Sequence, residues 1–287
     1  MAARNLLNLA LVAIAIILGL VVYFKPGLEP EHAPQPLTTL LAPDEAIGIH
    51  IDRITRDPLS FIKRDDRWYL MRDGQELPAS VFQVQALLRL LETTSTSRYP
   101  ADSVDLESLG LEPPQATVIF DDVEILFGNT EPLKNNRYAL IDETVHLIGD
   151  RYQHLVNADW TNFVERKLVP ADKILRTLQL PDMTLTFTDM KQWQLSPGKP
   201  DVSADAIQQL LDHWKNASAL YARRYDGSKS DESITLEFSD MPETLTFKVI
   251  SHSPELVLAR PDWGIQYYFP GDMEKSLLTL QETPAEQ

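Results

Sequence analysis

The chain contains no cysteine. That excludes a disulfide framework and thiol chemistry, and it is compatible with an oxidising compartment. Basic residues are scarce as well: 26 Lys and Arg stand against 42 Asp and Glu, for a net charge of -16. Such a surface repels nucleic acid and anionic lipid headgroups, so nucleic-acid binding is excluded. The histidines, His32, His50, His146, His154, His213 and His252, never fall at the i, i+2 or i, i+4 spacings that let two imidazoles grip one metal. No metal site is expected. A Gly-x-Ser-x-Gly elbow, a phosphate loop and a dinucleotide fingerprint are also missing, and Gly227-Ser228-Lys229-Ser230 lacks the elbow frame. No catalytic residue and no cofactor is therefore assigned.

Charge is absent from Leu6 to Phe24, where only Asn8 and Gly19 interrupt an apolar run. At ~1.5 Å of rise per residue the run covers roughly 28 Å, close to the ~30 Å hydrocarbon core of a bilayer, and it predicts a transmembrane helix. It ends in Val21-Val22-Tyr23-Phe24-Lys25 rather than in the small residues of a cleavage site, so an uncleaved anchor is favoured over a secretory signal. Arg4 precedes the run and Lys25 stands alone after it. The positive-inside rule then leaves the amino terminus in the cytoplasm of a bacterium and the bulk in the periplasm, as a single-pass inner-membrane protein. Ala10, Ala13, Ala15 and Gly19 form a small-residue seam, with Asn8 as a polar contact, for packing beside other membrane helices. Pro26, Pro30, Pro34, Pro36 and Pro43 follow, and an extended stalk over 26–43 reaches up to about 55 Å. The alternative is that part of it lies along the domain surface.

Beyond the stalk one succession of signals runs twice, over 44–150 and over 170–287, with a helical connector at 151–169. Leu59 and Phe61 alternate with polar neighbours as Leu185 and Phe187 do, and polar turns at Arg64-Asp65-Asp66 and Asp189-Met190-Lys191 close hairpins. The returning strands are Trp68-Tyr69-Leu70 and Trp193-Gln194-Leu195. Val84, Leu87, Leu88 and Leu91 then make an i, i+3, i+4, i+7 stripe, repeated by Ile207, Leu210, Leu211 and Trp214, with Ser80 and Ser203 as N-caps. Each tryptophan is expected against the leucines of its own helix. Each copy closes with four period-two strands joined by turns too short for parallel crossovers. The fold class predicted is α+β: an N-terminal transmembrane helix, then two similar repeats, each an antiparallel sheet with a packed helix.

The order of Trp68-Tyr69-Leu70, a helix, Leu109-Gly110-Leu111-Glu112-Pro113, Phe127-Gly128, Arg137-Tyr138 and Val145-His146-Leu147-Ile148 resembles the bacterial domain of unknown function 4340. The resemblance implies a membrane-anchored protein, often encoded beside components like those of gliding-type ABC transporters. It carries no catalytic residue over. The second copy departs from it, since Ala222-Arg223-Arg224-Tyr225-Asp226-Gly227 stands where Leu-Gly-Leu-x-Pro would be.

Acidic doublets at Asp65-Asp66 and Asp121-Asp122 read as turn residues rather than as an acid/base pair. The Arg223-Arg224 doublet either faces an anionic partner or pairs with Asp226 or Asp231. In the aromatic cluster of Trp263, Tyr267, Tyr268 and Phe269, Trp263 and Tyr268 are candidate partner contacts and the rest core. These features favour a non-enzymatic periplasmic auxiliary or scaffold subunit that docks on integral membrane subunits of an envelope ABC-transporter-like complex. The alternative is a binding module for a lipid, glycan or peptide in a cleft between the repeats. A hydrolase with an unrecognised site is the remote alternative.

Overall fold

The computed structural model describes Ile14 and residues 35–281 apart from 39, 133, 134 and 199–201. In the first half lie β1 (Gln35–Pro36), β2 (Gly48–Arg53), β3 (Leu59–Arg64), β4 (Arg67–Arg72), β5 (Gln75–Pro78), helix α1 (Val81–Leu88), β6 (Thr94–Ser95), β7 (Ser97–Pro100), β8 (Ala116–Phe120), β9 (Val123–Thr130), β10 (Asn136–Ile141) and β11 (Thr144–Gly149). A four-residue helix α2 (Gln153–Val156) follows. The second half holds β12 (Leu175–Leu180), β13 (Met183–Phe187), β14 (Trp193–Ser196), helix α3 (Ala204–Asn216), β15 (Tyr221–Arg224), β16 (Ser233–Phe238), β17 (Leu245–Ser251), β18 (Glu255–Arg260), β19 (Ile265–Pro270) and helix α4 (Met273–Leu278).

Nine strands form one antiparallel sheet in the order β5-β4-β3-β2-β8-β9-β10-β11-β7, and eight form a second in the order β14-β13-β12-β16-β17-β18-β19-β15. The two orders coincide strand for strand, except that β5 has no counterpart beside β14. The halves also share a local device. The Asp121 carboxylate accepts from the backbone N–H of Gly48 at 2.7 Å, and that of Asp240 accepts from the N–H of Ile174 at 3.1 Å. Each ties the end of one hairpin to the start of the first long strand.

Alternation explains the strands. In β8 Ala116, Val118 and Phe120 are buried while Thr117 and Ile119 are not, the two-residue period that puts one face of a sheet on the core. The tight turns use aspartate at positive φ: Asp65, Asp66, Asp73, Asp121 and Asp142 all adopt it, which short polar side chains tolerate in hairpin turns. Gly110 has φ +67° and a Cβ on Gly128 would run into the Leu109 carbonyl oxygen. The two glycines thus serve backbone packing.

Helices are few. The α+β expectation is corrected to an architecture of two antiparallel sheets with minor helices, because alternating segments pair with one another across each half while the helical stripes fill only α1 and α3. Ser203 caps α3 by accepting from the Ala206 N–H at 3.1 Å, whereas Ser80 makes no side-chain cap bond at α1. Among the described residues no helix is long and apolar enough to cross a membrane. The longest, α3, has 13 residues, or about 20 Å of length against a ~30 Å core, and it carries Asp205, Asp212 and Lys215. The expected N-terminal transmembrane helix and single-pass inner-membrane placement are therefore not supported by the described residues. The run from 6 to 24, with Asn8, Ala15 and Gly19, lies outside the described residues. From Gln35 onward the chain pairs with Ser95 and Thr94, and Leu37 is buried.

One hydrophobic core runs through both halves. Residues 163–168 stitch them together. Ser80 N–H donates to the Phe163 carbonyl and Glu165 N–H to that of Pro78, on the first half, while Ala219 N–H donates to Arg166 and Leu168 N–H to Ala217, on the second. At the far end His252 joins Glu274 of α4 at 2.8 Å and Glu232 at 2.9 Å. Partial burial pulls the imidazole pKa down, but the two carboxylates outweigh it and the net shift is upward. The stabilisation is therefore present below the unfolded value and lost as pH rises through the raised folded one. His252→Ala should destabilise the chain more at pH 6 than at pH 8.5, by under about 1 kcal/mol because the pair is exposed. Equal losses in urea melts at both pH values would contradict this assignment.

Candidate functional site

Between the two sheets lies a cleft of about 250 Å³. Its floor is the stitching segment, through Glu165, Lys167 and Leu168, and its walls come from both halves: Trp68, Tyr69 and Val81 on one side, Leu245, Phe247, Trp263 and Tyr267 on the other. The sheet period places these side chains. In β19, Ile265, Tyr267 and Phe269 share a face, so Tyr267 reaches the cleft while Tyr268 points the other way.

The cleft has two different ends. Arg67 and Asp172 form a 2.9 Å ion pair where their side chains are 53% and 36% exposed, which makes this the solvent end. The Arg67 hydrogen bond holds the Asp172 carboxyl below the usual carboxylate range. At the closed end Arg260 is 4% exposed and Tyr267 2%. The Arg260 guanidinium lies 3.6 Å from the Trp263 ring centroid and 5.7 Å from that of Phe247. Its Nε donates to Asp262 Oδ1 at 3.1 Å and its Nη2 to Asp262 Oδ2. Burial pushes the Tyr267 phenol well above its ordinary range, so it stays protonated.

The candidate contact residues are dispersed. Trp263 lines the cleft, beneath Arg260. Tyr268 lies on the opposite face, stacked on Tyr221 with centroids 4.6 Å apart. Exposed Arg223 sits 5.0 Å and 5.4 Å from those two rings. Arg224 pairs with Asp159 at 3.0 Å and Asp57 at 3.4 Å, not with Asp226 or Asp231, because β15 turns it toward the connector and the first half. The structure thus joins Arg223 with Tyr268 and separates both from Trp263. Arg260 and the Arg67–Asp172 pair went unnoticed in the sequence. A charged residue closing the strand Glu255–Arg260 reads as a solvent-facing end, and no local signal marks its burial.

Two antiparallel sheets that share one hydrophobic core, with a cleft lined from both halves, define the class. A family described as Domain of unknown function (DUF4340) matches residues 68–234. That is more than half of the chain, which belongs to this family. No curated protein and no solved structure matches it. The matched stretch ends before Leu245, Phe247, Arg260, Trp263 and Tyr267, so one wall of the cleft lies beyond it.

Proposed function

We propose that the chain is a non-enzymatic binding module that takes an apolar group of its ligand into the cleft between the two sheets. The supporting observation is the lining: aromatic and aliphatic side chains from both halves, no serine, threonine or histidine, and carboxylates that are already engaged, Asp172 with Arg67 and Glu165 with the backbone N–H groups of Arg166 and Lys167. A hydrolytic site needs a nucleophile or a base converging on one point, and this lining favours binding over hydrolysis. Small-molecule sites usually span about 300–1,000 Å³. A smaller cleft suits one side-chain-sized group.

The probe is N-phenyl-1-naphthylamine, an uncharged dye whose emission rises in apolar surroundings. The folded chain should enhance and blue-shift it. Ala171 is exposed and lines the solvent end, so Ala171→Trp should block the enhancement with the unfolding midpoint unchanged. No enhancement by the native chain, or full enhancement by the variant, would overturn the proposal.

A second reading keeps the same cleft and makes the ligand a subunit of a transporter-like complex, on which the chain acts as an auxiliary scaffold. Val81 and Phe82 favour it, since they are 50% and 69% exposed and Val81 lines the cleft. An inserted apolar anchor beside exposed apolar residues is how partner proteins gain most of their affinity.

A further inference from the structure

Building on the binding-module reading, we infer that the cleft recognises an apolar group bearing an uncharged carbonyl oxygen, of amide, ester or ketone type, held at the closed end by Arg260 and Tyr267. The inference rests on what is left unpaired there. Among the described residues neither Arg260 Nη1 nor the Tyr267 hydroxyl has a hydrogen-bond partner, though Arg260 Nε and Nη2 are both taken by Asp262. Both residues line the cleft and both are more than nine-tenths buried. Neither atom is among the fully enclosed unpaired ones, His146 Nδ1, Gln153 Oε1, Trp160 Nε1 and Gln266 Oε1, so both donors open onto the cleft and are offered there to an acceptor that the protein does not supply.

Charge decides between acceptors. A carboxylate would accept the same donors, but Arg260 is already neutralised by a two-point pair with Asp262. A second anion would then stand at the closed end against the Glu165 carboxylate that also lines the cleft, while the other cations of the lining, Arg67 and Lys167, are exposed residues, in a chain of net charge -16. Burying such an ion is expensive. A neutral carbonyl gains the same hydrogen bonds without that cost. The guanidinium is also fixed in orientation, with the Trp263 ring 3.6 Å away and the Asp262 fork on its other edge. The acceptor site is therefore rigid. The apolar body of the ligand would fill the space between Trp68, Leu245 and Phe247.

The test uses the full chain and three probes that share a phenylethyl body, 3-phenylpropanamide, 3-phenylpropanoate and ethylbenzene, followed by calorimetry and tryptophan fluorescence. A hydrogen bond to a charged donor contributes about 1.5–3 kcal/mol, so the amide should bind at least about tenfold more tightly than either of the others. Tyr267→Phe should weaken amide binding several-fold and leave ethylbenzene unchanged, with the unfolding midpoint reporting that the variant is folded. Tightest binding by the carboxylate would overturn the neutral-acceptor inference while leaving the cleft reading in place. Equal binding of amide and ethylbenzene would do the same. Failure of all three probes to bind would overturn the cleft reading itself.

Discussion

Trp214→Ala is expected to destabilise the chain by about 3–5 kcal/mol, the range for deleting a large buried aromatic side chain. Trp214 is fully buried on α3, with Phe247 of β17 at a centroid distance of 6.4 Å. Its indole Nε1 donates to the Leu277 carbonyl at 2.7 Å. One side chain therefore fastens α3 to the second sheet and to α4. Trp214→Phe keeps most of the packing and removes the hydrogen bond, so it should cost about 1–3 kcal/mol for the carbonyl left unsatisfied. Trp193→Ala is the control. That residue lies on the edge strand β14, only partly buried, against Phe187 at 5.4 Å. Urea unfolding that ranks Trp193→Ala above Trp214→Ala would contradict this packing.

Acid should act through His146. The imidazole is 4% exposed on β11 and its Nδ1 is buried without a partner. Burial, assisted by the charge of Arg98, lowers its pKa from 6.5 to about 4. The unfolded chain then takes up the proton first as pH falls. Stability is full above pH 6.5, declines below it, and this contribution is gone once pH passes about 4. At 1.36 kcal/mol per unit the loss amounts to roughly 3 kcal/mol. Carboxylates titrate over part of the same range, so the measurement is a comparison: unfolding free energies at pH 7 and pH 4.5 for the native chain and for His146→Leu. The difference between the two pH values should shrink in the variant. An identical acid limb in both would refute a buried neutral His146.

Much of the fold was legible locally. The hairpin at Asp65-Asp66 follows from a polar turn between alternating strands, and the stripes at Val84, Leu87, Leu88 and Leu91 and at Leu210, Leu211 and Trp214 are buried. Membrane placement finds no support among the described residues, where no helix is long and apolar enough to cross a bilayer, and the run from 6 to 24 lies outside them. Two helical stripes are conspicuous in sequence, yet seventeen strands lie in the two main sheets. Trp68 and Trp193 looked equivalent, and only strand order separates them. β5 covers the flank of β4, while β14 is an edge. Trp68 is buried at 7% exposure and Trp193 is not.

By itself the sequence determined what short-range physics can set: which residues alternate, where aspartate and glycine allow a turn, which positions cap a helix, and that the chain is acidic and without thiols. The tertiary structure alone decided the cleft. Its lining comes from residues as far apart as Arg67 and Tyr267, and its closed end depends on Arg260 being buried against Trp263 and Phe247 rather than turned to solvent. Periodicity assigns a residue to a face of its own strand. Which two faces meet, and which donors they leave unpaired between them, follows from long-range packing that no local pattern encodes.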